Sequence, residues 1–141
     1  MNPDDQYAKI RYQMEKTAEQ FEKVVAKCRD VFSRKMQDYG NSWRVLRTPS
    51  LTDQIYIKAN RIRSIQEKGK KRVEEGIEPE FIGIVNYAVM ALVQLEMGVT
   101  SEVDLSADEA ADLYDRFIQR ARELMEKKNH DYDEAWRNMR I

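Results

Sequence analysis

The chain has 141 residues, enough for one domain with a hydrophobic core. Charged residues make up 35% of it and nearly cancel, at net −1, which excludes a disordered polyelectrolyte and a general polyanion binder but leaves room for one local basic pocket. The single cysteine, Cys28, rules out an intramolecular disulfide and a multi-cysteine metal site, and its helical context makes it a small core residue.

The N-terminal MNPDDQYAKIRYQ has no apolar run after its charges, so it does not read as a signal peptide. Phe81–Leu95 falls short of the roughly 20 residues a membrane span needs and is interrupted by Asn86 and Gln94. No membrane partner is expected, and the cytoplasm is the expected location. With only 3 prolines and 5 glycines, no alternating β-branched runs, and long stretches of Ala, Glu, Lys, Arg, Gln and Met, the chain is expected to be all-α: a bundle of about four main helices.

The first helix is expected from about Asp4 to Gln37, with a start or break where Thr17 and Gln20 form a capping pair. Its buried stripe is Phe21, Val24, Val25, Cys28, Val31 and Phe32. Gly40 is its stop, and residues 41–50 are a connection. The second helix runs from about Leu51 to Lys68 with Leu51, Ile55, Ala59, Ile62 and Ile65 inward, and Gly69 ends it. KGKKRVEEG reads as a solvated loop, followed by a third helix from about Pro79 to Met97, apolar on nearly every side and therefore central or in a subunit interface. The fourth opens at Ser106, where Glu109 completes a capping box, and runs to about Asn129 or beyond.

A shift of 93 residues aligns 18–47 with 111–140 without a gap. Arg29, Lys35, Asp38, Tyr39, Trp43, Arg44 and Arg47 meet Arg122, Lys128, Asp131, Tyr132, Trp136, Arg137 and Arg140. This reads as an internal helix-turn duplication with the signature Lys-x2-Asp-Tyr-x3-Trp-Arg-x2-Arg. Residues 1–16 are then an N-terminal helical arm, 17–98 a first repeat unit and 106–141 a partial second one, packed as one domain. Core positions differ between the copies while polar and aromatic ones are kept. Either the tryptophan locks the turn and the arginines make ion pairs, or the cations surround an anion, which the planar guanidinium suits.

Lys58 and Arg61 share a helix face and are either solvated charges or part of a basic pocket with Arg44 and Arg47. Asn86, polar in an apolar helix, is either a core contact or a ligand contact. His130 beside Asp131 does not make a metal site, because Gln37 stands at its place in the first copy and one histidine is too few. Met14, Met36, Met90, Met97, Met125 and Met139 read as core.

Through KMQDYGNSWRVLR, IKANRIRSI and NYAVMAL, residues 17–141 resemble a bacterial and phage family of unknown activity, the nucleotide-modification-associated helical domain. The matching elements are Lys35, Asp38, Tyr39 and Gly40, then Lys58 and Arg61, then Asn86, Tyr87 and Ala88. The resemblance implies a link to nucleotides or modified bases. More distantly, the layout is similar to all-α nucleoside triphosphate pyrophosphatases, which hold Mg²⁺ with carboxylates on facing helices. Mg²⁺ is therefore a candidate ion, yet Gly83 stands where that pattern expects an acid, Glu78 and Glu80 lie nearer the helix start, and Asp53 and Glu67 sit at the ends of the second helix.

These readings converge on binding, with hydrolysis left open, of a nucleotide or other phosphorylated small molecule. Lys35, Arg44, Arg47, Lys58 and Arg61 would face phosphate, Trp43 or Tyr39 would stack, Asp38 would orient a cation, and Asn86 would line the site. Lys128, Asp131, Tyr132, Trp136, Arg137 and Arg140 are their second-copy equivalents. The competing reading is a non-enzymatic homo-oligomeric structural or interaction protein.

Overall fold

A computed structural model describes the backbone of residues 2–139 and every side chain among them except those of residues 70–75, so Arg140 lies outside the described residues. The fold is all-α. Helix α1 is Pro3–Tyr39, α2 Thr48–Lys68, α3 Lys70–Met97 and α4 Ala107–Tyr132, with 3₁₀ turns at Ser42–Val45 and Ala135–Asn138. The chain forms two compact units, Lys27–Phe117 and Met1–Ala26 with Ile118–Ile141.

Helix α1 is continuous across Thr17, contrary to the expected break. The Thr17 hydroxyl does not cap its own helix but donates to Glu134 Oε2 at 3.0 Å. The connection after Gly40 holds the first 3₁₀ turn, and α2 begins earlier than expected, at Thr48, with Pro49 in its first turn, where a missing N–H costs nothing. At Ser106 the capping box closes in both directions: Glu109 N–H donates to Ser106 Oγ, and Ser106 N–H to Glu109 Oε1, each at 3.1 Å.

The largest departure is at α3. The charged run expected as a loop is helical backbone from Lys70, so Pro79 lies inside the helix rather than at its start. Lys, Arg and Glu are good helix formers, and the Gly69 conformation, φ +111°, turns the chain in a single residue so that α3 can start at once. Helices α2 and α3 pack antiparallel. A Cβ on Gly76 would lie 3.0 Å from Ile65 Cδ1, and Gly83 further along α3 faces Lys58 further back along α2. Gly76–Met97 is, by length and composition alone, apolar enough to cross a membrane, a longer stretch than Phe81–Leu95.

In unit Lys27–Phe117 the core is Cys28, Phe32 and Met36 of α1, Trp43 of the turn, Leu51 and Ile62 of α2, Val89 and Val93 of α3, and Ala110, Tyr114 and Phe117 of α4. Each large apolar side chain buried here contributes about 1.5–3 kcal/mol. Burial pushes the Cys28 thiol up, so it stays protonated, a packing residue as expected. Two expected inward residues differ: Val24 is 55% exposed and Ala59 is also exposed. Phe81, Leu92, Leu95 and Met97 of α3 are likewise exposed rather than central.

The two signatures follow the same local path. Arg44 N–H bonds Asn41 O and Arg137 N–H bonds Glu134 O, both at 3.0 Å; Leu46 N–H bonds Trp43 O at 3.0 Å and Met139 N–H bonds Trp136 O at 3.1 Å. Ion pairs are also exchanged: Arg29 meets Asp115 at 2.7 Å, and Arg122, its counterpart 93 residues on, meets Glu22, the counterpart of Asp115, also at 2.7 Å. Gly40 closes α1 at φ +63°, whereas its counterpart Asp133 holds φ +50°. Because no atom lies within 4 Å of a Cβ at Gly40, the cost of a side chain there is backbone strain alone. Gly40→Ala is expected to destabilise by about 1–2 kcal/mol, and Asp133→Gly to stabilise by up to about 1 kcal/mol, both read from urea unfolding.

Candidate functional site

The first signature does two separate jobs. Its arginine points into the protein. Arg44 is 1% exposed; its Nε donates to Asp104 Oδ1 at 2.9 Å, its Nη2 to Asp104 Oδ2 at 3.3 Å, and its Nη1 to Gly98 O at 2.8 Å and to Gln94 Oε1. Gln94 answers by donating Nε2 to the carbonyls of Arg44 at 2.9 Å and Leu46 at 2.7 Å. The 3₁₀ turn is thus clasped to the C-terminal end of α3, where free carbonyls and the helix dipole favour a cation. Four of the five N–H groups of Arg44 are engaged within the protein, and the side chain is buried outside the cavity described next, which corrects its expected place in the pocket. The neighbouring guanidinium holds the Asp104 carboxyl below its usual range.

Lys35, Tyr39 and Trp43 of the signature wall a cavity of about 520 Å³, a size typical of small-molecule sites. Helix α1 contributes Phe32, Lys35, Met36 and Tyr39, the turn Trp43, α2 Lys58, and α3 Pro79, Glu80, Ile82, Gly83, Asn86, Tyr87 and Met90. Among the described residues no acid pairs with Lys35, which is exposed. Lys58 Nζ donates to Glu80 Oε2 at 3.3 Å, and Arg61 Nε lies 3.5 Å from Glu80 Oε1. Glu80 is itself 8% exposed. The Lys58 stem crosses α3 at Gly83, where a Cβ would come within 2.4 Å of Lys58 Cδ and Cε. Phe32 underlies the floor, its ring 6.3 Å from that of Trp43 and 4.6 Å from that of Tyr114.

Of the residues expected from sequence, Lys35, Tyr39, Trp43, Lys58 and Asn86 come together around this cavity. Arg61 reaches it only through Glu80, and Asp38 and Arg47 are exposed and outside its lining. The backbone of Arg47 caps α2. Asn86 borders the cavity, but its amide is engaged: Nδ2 donates to Cys28 O at 3.1 Å, and Oδ1 accepts from Tyr114 Oη at 2.7 Å. Its polarity is thereby explained as a tie between α1, α3 and α4. Burial pushes the Tyr114 hydroxyl up and keeps its proton in place for that bond.

Three residues that matter were not singled out from sequence. Gln94 carried the same signal as Asn86, a polar residue in an apolar helix. Glu80 could have been found as the acid answering the Lys58–Arg61 pair. Asp104, in an irregular segment, left no pattern to read.

The second signature is arranged differently. Lys128 lies over the Tyr132 ring at 6.0 Å, and Asp131 is exposed beside His130. Arg137 Nη2 donates to Thr17 Oγ1 and to Gln20 Oε1, and Trp136 Nε1 donates to the buried Glu134 carboxylate at 2.6 Å. In the first turn the place of Glu134 is held by Asn41, one methylene shorter, which donates to the carbonyls of Leu105 and Ser106 at 2.9 and 3.2 Å. Asn41 Oδ1 and Trp43 Nε1 are consequently both buried without a protein partner. Met125, Asn129 and Trp136, counterparts of Phe32, Met36 and Trp43, border an open groove with Thr17, Phe21 and Val24. Trp136 is 46% exposed against 6% for Trp43.

Residues 35–95 match nucleotide modification associated domain 1, a family of unknown function. The resemblance read from Lys35–Gly40, Lys58 and Arg61, and Asn86–Ala88 is thus borne out over the stretch that supplies nearly all of the cavity wall. No curated protein and no solved structure gave a significant match.

Arg44→Ala removes a fully buried side chain and leaves Gln94 Oε1 and the Gly98 carbonyl without their donor, so it is expected to cost about 1–3 kcal/mol in denaturant unfolding. Because the folded carboxyl of Asp104 is depressed, its stabilisation is present above its ordinary value of 3.8 and is lost as pH falls through the lower folded value. Asp104→Asn should therefore lower stability at neutral pH and flatten the loss of stability in acid, read by circular dichroism melts across that range.

Proposed function

We propose that the cavity of unit Lys27–Phe117 binds a phosphorylated small molecule of the nucleotide class. The observation that carries this reading is the pairing of two lysine ammonium groups, Lys35 and Lys58, with an apolar and aromatic floor of Phe32, Met36, Trp43 and Met90 in one cavity. Ammonium groups are point charges suited to phosphoryl oxygens, and an apolar floor edged by the exposed Tyr39 and the half-buried Tyr87 suits a flat base. The family name points the same way for residues 35–95. The reading is one of binding: a hydrolytic step would need an acid set, and among the described residues Glu80 is the only carboxylate in the lining.

The same reading takes the two turns as products of a duplication, supported by their matching hydrogen bonds and the exchanged Arg–carboxylate pairs. After duplication the two copies parted: one turn is covered by α3 and borders the cavity, while the other binds Thr17 and Gln20 of α1.

A second reading, self-association as a structural protein, is favoured by the exposed Phe81, Leu92, Leu95 and Met97 along α3. Light scattering on the wild type and on Leu95→Glu tests it, a shift to smaller mass in the variant being the expected result.

A ligand that binds only the folded state adds about 2.7 kcal/mol at 100 times its Kd, several degrees in melting temperature for a chain of this size. A panel of nucleosides and nucleotides should raise the melting temperature of the wild type and have little effect on Lys35→Ala. Lys35 is exposed and makes no core contact that its loss would disturb. An unchanged melting temperature with every member of the panel would remove the proposal.

A further inference from the structure

The residues that line the cavity also limit how much negative charge it can take, and how that charge is balanced. Among the described residues two lysines and one glutamate face it, a net of +1 (two positive, one negative). Lys58 is already shared with Glu80 at 3.3 Å, and Arg61 at 3.5 Å is spent on the same carboxylate from outside the lining. Among the described residues no group of three His, Cys, Asp or Glu could hold a metal ion. A phosphate monoester carries about −1.5 to −2 at neutral pH, which Lys35 and Lys58 together can match because Arg61 also answers Glu80. The further phosphoryl groups of a triphosphate would face Glu80 and an apolar wall with nothing to balance them.

Gly83 explains why a lysine fills this position. Its missing Cβ is the space through which the Cδ and Cε of Lys58 pass, at 2.4 Å from where that Cβ would stand. The stretch of α3 from which a carboxylate could join a cation-binding cluster with Glu80 is therefore covered by the lysine stem, and the ammonium arrives at the cavity in its place.

We infer that the ligand of this cavity is a nucleoside monophosphate bound without a divalent cation, its phosphate between Lys35 and Lys58 and its base against Trp43, Met36 and Met90. This rests on the nucleotide reading of the same cavity. Glu80 acts as a charge filter: it holds Lys58 in place and repels ligands with additional phosphoryl charge.

The test is isothermal titration of the full chain with each 5′-monophosphate, the matching triphosphates, and the nucleosides, in Mg²⁺ and in EDTA. The expected result is that one monophosphate binds at least about ten-fold more tightly than its triphosphate, equally in both buffers. Lys58→Met, which keeps the stem against Gly83 but removes the charge, should bring the monophosphate to the level of its nucleoside. Glu80→Gln should narrow the gap between mono- and triphosphate. Tighter binding of a triphosphate in Mg²⁺ than in EDTA would overturn this assignment while leaving the nucleotide reading intact. No binding by any nucleotide to a folded chain would overturn both.

Discussion

The Arg44 guanidinium is the contact on which unit Lys27–Phe117 turns. An arginine buried at 1% exposure is costly unless its donors find partners and its charge is answered. Here the answers come from Asp104, from the carbonyl of Gly98 beyond the end of α3, and from Gln94 within α3. The guanidinium therefore ties the turn to the end of α3 and the segment just after it, and Gln94 makes the clasp mutual by binding the carbonyls of the turn. With the turn held, Trp43 is pressed onto Phe32, and α1 and α3 stand apart as the walls of a cavity rather than collapsing onto each other.

That arrangement divides the signature between structure and chemistry. Within one short motif, Arg44 faces inward to hold the turn, while Lys35 and Tyr39, on the preceding helix, face outward onto the cavity. The same division appears on α3, where Asn86 and Gln94 spend their amides on other helices and Glu80 is left to set the charge of the cavity. Polar residues in an apolar helix thus serve two different ends, and only their partners tell them apart.

Much of the architecture could be read from the sequence because it is written in local chemistry. Gly40, Gly69 and Gly98 end helices at positive φ, and Ser106 with Glu109 opens one. The helix from Lys70 was not legible, since a run of Lys, Arg and Glu suits both a solvated loop and a helix, and Pro79 argued for the wrong start. Of the site, Lys35, Tyr39, Trp43, Lys58 and Asn86 could be found, but the role of Arg44 could not. Its fate depends on Asp104, sixty residues away in an irregular segment that carries no periodicity. Recurrence in both signatures draws attention to a residue without saying whether a ligand or the fold needs it.

The single-residue link at Gly69 has a consequence for how the cavity comes into being. Helices α2 and α3 meet through contacts such as Ile65 with Gly76 and Lys58 with Gly83, which close short loops and carry little loop-closure entropy. This hairpin is expected to assemble early, with Lys58 and Glu80 already side by side. The opposite wall, on α1, is brought in by contacts that span fifty residues or more, Arg44 with Gln94 among them. The pair that would filter charge is thus expected to form before the chamber around it, and the wall on α1 to join later, when contacts such as those of Arg44 close over fifty residues.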